Sequence, residues 1–152
     1  MAGLVGTRTG IGFNINLNGD VLTSYYALGE HWRSDMAFYK DEVRFLRGLL
    51  GKYFYRFIED IDINHVRRIE NRLMILDRRR EEIDFKIGRQ MKAISEQLKK
   101  NNNSASETIV SNHEELEYLL SILAKDFRKL KRIIFQLVEE GLDRFQVEGN
   151  EE

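Results

Sequence analysis

The chain has 152 residues, 42% hydrophobic and 32% charged, with a formal net charge of −1, no proline and no cysteine. That length suits one domain able to bury its own core. The missing cysteine excludes disulfides, zinc-thiolate sites, iron-sulfur clusters and thiol nucleophiles, and the near-zero charge gives no bulk attraction to nucleic acid or anionic membrane. Proline usage averages about 5%, so its absence removes the main interior helix breaker and points to long helices.

Residues 1–30 hold six of the eleven glycines, at 3, 6, 10, 12, 19 and 29, and carry only Arg8, Asp20 and Glu30 as charges. Ile11, Phe13, Ile15 and Leu17 alternate with Gly12, Asn14 and Asn16, and Asn18-Gly19 then precedes Val21, Thr23 and Tyr25. Period-two alternation around Asn-Gly signals a β-hairpin over about 11–25, since that pair accepts the positive φ of a tight hairpin turn. An isolated hairpin is marginal in water. It must therefore dock on the rest of the chain, pair with another chain, or stay loose.

A first helix is expected over about 31–58. Its apolar side chains fall at Trp32, Met36, Tyr39, Val43, Leu46, Leu50, Tyr53 and Phe57, alternating steps of four and three. That heptad spacing keeps one seam of a helix against a partner, and Phe38, Phe45, Leu49 and Phe54 widen the seam into a face that reaches two neighbours. Gly48 and Gly51 lie within it, each costing about 1 kcal/mol relative to alanine. They either let another backbone approach closely or mark a bend, and close approach is the preferred reading.

Glu59-Asp60-Ile61-Asp62 ends this helix and offers Asp60 or Asp62 as the cap of a second, expected over 62–100. Its stripe runs through Val66, Ile69, Leu73, Leu76, Ile83, Ile87, Met91, Ile94 and Leu98, with Arg80 where an apolar residue belongs. The polar turn 101–106 leads into a third helix, expected over 105–145, where Ser104 with Glu107 and Ser111 with Glu114 have capping-box spacing. Its stripe is Ile109, Leu116, Leu120, Leu123, Phe127, Leu130, Ile134 and Leu137, with His113 at one seam position. Residues 148–152 read as a frayed tail.

Short polar links between long helices make antiparallel neighbours. The expected fold is all-α: an antiparallel up-down-up three-helix bundle with coiled-coil-like packing over 31–147, preceded by the glycine-rich segment. With Trp32 early on a heptad seam it resembles spectrin-like three-helix repeats, a likeness of architecture that implies no function. Pairing Phe57 with Val66 and Leu98 with Ile109 leaves Ile94, Leu98, Ile109 and Leu116 beyond the end of the first helix. Either the N-terminal segment or a second subunit must cover them. These four, with Phe38, Phe45 and Phe54, form the candidate interaction surface for a homodimer or another helical protein.

Chemistry-bearing motifs are sparse. Only Asp62-x-x-His65 approaches the Glu-x-x-His pattern of ferritin-like metal enzymes, and His113-Glu114-Glu115-Leu116-Glu117 has glutamate where a zinc-protease helix needs its second histidine. Residues 6–12 lack the lysine and hydroxyl of a phosphate-binding loop. No catalytic residue, metal site or cofactor is therefore expected.

One charge pattern remains. Arg78, Arg79 and Arg80 fall level with Arg44 and Arg47 of the first helix and with Lys125, Arg128, Lys129, Lys131 and Arg132 of the third. Such a belt suits nucleic acid or another polyanion, unless Asp41, Glu42, Asp77, Glu81, Glu82 and Asp126 at the same level neutralise it. The chain has neither a membrane-length apolar run nor the pattern of a secretory signal. The expectation is a cytoplasmic, self-associating interaction module without a membrane span, the polyanion-binding module being the alternative and the metal enzyme a distant third.

Overall fold

A heptad stripe on a proline-free chain propagates until something local stops it. In the first helix it starts far earlier than the composition of residues 1–30 suggests. The computed structural model describes residues 10–56, 62–100 and 104–151, which form an antiparallel up-down-up three-helix bundle with no strand among them. Its helices are α1 (Gly10–Arg56), α2 (Ile63–Lys99) and α3 (Glu107–Glu151).

The expected hairpin over 11–25 is overturned: these residues continue α1. A lone hairpin would have had no sheet to join, whereas a helix here extends the stripe backwards. Leu22, Tyr25, Gly29 and Trp32 precede Met36 in steps of three, four, three and four. Leu22 is fully buried, Gly29 is buried, and Tyr25 and Trp32 are half-buried. Ahead of them the expected seam holds, with Met36, Val43, Leu46, Leu50 and Tyr53 buried and Tyr39 half-buried.

The second helix is capped by Asp62, whose Oδ1 accepts from the amides of Asn64 at 3.0 Å and His65 at 3.3 Å. Asp60, the other candidate, lies outside the described residues. For α3 the cap is neither Ser104 nor Ser111. Ser106 Oγ accepts from the Ile109 amide at 3.2 Å, three residues on, and Glu107 follows in the first turn, where a carboxylate suits the positive helix end. Instead, the Ser104 carbonyl accepts from Gln97 Nε2. At its far end α3 runs past the expected stop near Phe145, and past the start of the expected frayed tail, to Glu151.

The chain forms two compact units, each drawing on all three helices. One takes α1 up to Asp35 together with Ile83–Leu119. Leu22, Ile94 and Ile109, one from each helix, form its buried cluster, with Tyr25, Tyr26, Ala93, Leu98 and Ala105 packed around them. Leu116 is buried as well. Ile94, Ile109 and Leu116 thus leave the candidate interaction surface, and Leu98 is half-buried against the same cluster. The N-terminal part of α1 supplies the cover that the sequence left open.

The other unit takes Met36–Glu82 with Leu120–Glu152. Its interior is lined by Met36, Leu46 and Leu50 of α1, Ile69, Leu73 and Leu76 of α2, and Leu123, Phe127 and Ile134 of α3. Each such side chain, fully withdrawn from water, stabilises the fold by roughly 1.5–3 kcal/mol. Tyr39 stacks on Phe127 with ring centroids 4.4 Å apart.

Candidate interaction face and buried polar seam

Helical seams that carry polar residues must satisfy them or lose stability. Among the described residues, three seam positions are polar and buried: Arg80, Gln90 and His113. Arg80 Nε donates to Asp77 Oδ1 at 2.7 Å, one turn back on the same helix, and its Nη2 lies 3.7 Å from Glu81 Oε1. The guanidinium is neutralised within α2. Gln90 shares the seam with the expected, half-buried Met91; its Nε2 donates to the Ile109 carbonyl at 2.8 Å, while its Oε1 is buried with no partner among the described residues.

His113 is held by aromatic rings. Its imidazole stacks on Tyr25 at 3.7 Å, within 5° of parallel, and on Trp32 at 4.9 Å. Those two rings are seven residues apart on α1, two helical turns. Nε2 lies 2.8 Å from Glu117 Oε1, and Nδ1 is buried with no partner among the described residues. A histidine and one exposed carboxylate make a structural pair and no metal clamp, and no three His, Cys, Asp or Glu side chains gather to hold an ion among the described residues. His65, of the Asp62-x-x-His65 pattern, is exposed at the start of α2.

Part of the basic belt is paired. Arg79 Nη1 lies 2.7 Å from Asp126 Oδ2, joining α2 to α3, and Lys131 bridges α3 to Glu42 of α1. With Arg80 buried against Asp77, Arg79 and Arg80 are withdrawn from the proposed polyanion set. Arg44 has only a loose contact with Asp41 at 3.8 Å, both largely exposed. Arg47, Arg78, Lys125, Arg128, Lys129 and Arg132 are exposed. Arg72, Arg79 and Lys129 border a groove of about 240 Å³ between α2 and α3, with Asp126 in the same wall.

The outer face of α1 is different in kind. Phe38 and Phe45, seven residues apart and therefore two turns along one side, are 60% and 59% exposed, and Tyr55 is 86% exposed. Phe54, grouped with them from the sequence, is half-buried. Gly48 and Gly51 are exposed, and a Cβ built on either would meet nothing within 4 Å. Their expected role in close packing is not met among the described residues. Instead they floor a shallow trough walled by Lys52, Tyr55 and Arg56.

No helix among the described residues is long and apolar enough to cross a membrane. Compared with protein families, curated proteins and solved structures, the chain matches none.

Proposed function

We propose that the chain is a helical-bundle interaction module that self-associates through the outer face of α1. The observation that carries this reading is the pairing of two exposed phenylalanines, Phe38 and Phe45, with the open trough over Gly48 and Gly51. Exposed apolar groups gathered on one face are unfavourable in water unless a partner covers them. Two glycines in a solvated helix stretch cost about 1 kcal/mol each, with no packing among the described residues to explain them. A docking helix accounts for both, since the glycines let its backbone come close and the rings supply apolar contact.

Light scattering tests this directly. The wild-type chain is expected to be a dimer at tens of micromolar, and Phe38→Ser with Phe45→Ser to be a monomer of unchanged helicity by circular dichroism. A wild-type monomer at several hundred micromolar overturns the reading.

Anion binding at the α2/α3 groove is the second reading, favoured by Arg72 and Lys129, which border it beside the Asp126-bound Arg79. It predicts retention of a polyanion that is lost as salt rises, because neutralised phosphates release counterions. Unchanged retention in Arg72→Glu with Lys129→Glu rejects it.

A further inference from the structure

We infer that the partner of the α1 outer face is the acidic C-terminal stretch of α3 from a second copy of this chain, an inference that rests on the self-association reading above.

The charge of the α1 face decides what can cover it. From Lys40 to Arg56 the helix has five cations, Lys40, Arg44, Arg47, Lys52 and Arg56, against Asp41 and Glu42. Glu42 is engaged with Lys131 and largely buried. Two such faces meeting each other would set cations against cations, which costs affinity and slows encounter. The occupant must therefore be acidic as well as apolar.

The same chain displays such a surface. On α3, Phe135, Glu139, Leu142 and Asp143 are exposed at spacings of four, seven and eight from the first, one side of a helix. Glu140 and the 60% exposed Val147 flank them. Between Glu139 and Val147 three carboxylates stand against one cation, Arg144, so a partner's cations are complementary to this stretch.

Docking brings Leu142 over the Gly48 and Gly51 trough, with Glu139 and Asp143 toward Arg44 and Lys52. Around a two-fold axis each copy gives its α1 face and receives its partner's, so the contact is made twice and closes as a dimer. A bilayer or nucleic acid would satisfy the cations but has no use for a notch shaped to a helix.

Sedimentation velocity with paired charge reversals tests this. Arg44→Glu with Lys52→Glu, and separately Glu139→Lys with Asp143→Lys, are each expected to weaken dimerisation at least tenfold. An equimolar mixture of the two variants should recover a dimer, because both contacts are again complementary in the heterodimer. These positions are exposed, and circular dichroism confirms that each variant folds. A dimer lost on Phe38→Ser with Phe45→Ser but indifferent to Glu139→Lys with Asp143→Lys overturns the α3 assignment and leaves the α1 face standing. A wild-type chain that stays monomeric overturns both, as does one that stays monomeric while binding anionic vesicles or an oligonucleotide.

Discussion

Gly29 of α1 lies against the side chain of Met91 of α2, close enough that a Cβ on Gly29 would sit 2.7 Å from Met91 Cγ and 3.0 Å from its Sδ. A seam position that would ordinarily take leucine is thus empty so that a neighbour can fill it. Gly29→Ala should destabilise the bundle by about 1 kcal/mol: overpacking costs roughly 1–3 kcal/mol, and alanine's better helix propensity returns about 1. Trimming the neighbour with Met91→Ala should reverse the sign of the Gly29→Ala effect. Urea unfolding of the two single variants and the double variant measures this coupling.

Gly48 is expected to behave oppositely. With open space around it, Gly48→Ala should raise monomer stability by about 1 kcal/mol while weakening dimerisation, because a methyl group then occupies the trough. Gain of stability together with loss of association separates a glycine kept for docking from one kept for bending. Chemical denaturation of dilute protein, set beside sedimentation of concentrated protein, reads the two effects apart.

His113 should be replaceable by an apolar residue but not by a small one. His113→Ala leaves Tyr25 and Trp32 without the ring they stack on and should cost about 2–4 kcal/mol through the cavity. His113→Leu refills the space and removes a buried Nδ1 that has no partner among the described residues, so it should fall within about 1 kcal/mol of wild type. Because Trp32 is the single tryptophan, intrinsic fluorescence reports on this contact during the same titrations.

Arg80 and Asp77 make an asymmetric pair. Asp77→Ala leaves a buried guanidinium with only the 3.7 Å contact to Glu81 and should cost about 1.5–3 kcal/mol. Arg80→Met removes the charge and keeps much of the volume, so it should be near neutral or stabilising. Equal losses from the two substitutions, measured by thermal unfolding, would contradict this account.

The middle of the bundle was legible from local pattern. A run of alternating three- and four-residue steps from Trp32 to Tyr53, and the matching runs in α2 and α3, determine helices and their buried sides, because periodicity is a property of neighbouring residues alone. The same locality misled at residues 11–25. Asn18-Gly19 and the alternating apolar residues favour a hairpin locally, yet a helix there lets Leu22 close over Ile94 and Ile109, a contact spanning more than seventy residues of sequence. The clue was present in the stripe, which runs back through Tyr25 and Leu22 but crosses Gly29, whose absent side chain has meaning only once Met91 is placed beside it.

Charges divide in the same way. That basic and acidic residues share one level of the bundle follows from helix register. Which of them pair does not, because Arg79 with Asp126 and Lys131 with Glu42 depend on side chains meeting across helices. The sequence by itself determined three long helices and the inner faces of most of their length. Only the tertiary structure decided what the N-terminal stretch covers, which cations are taken up internally, and that Phe38, Phe45, Gly48 and Gly51 face outward, since burial is a relation between segments that no local spacing encodes.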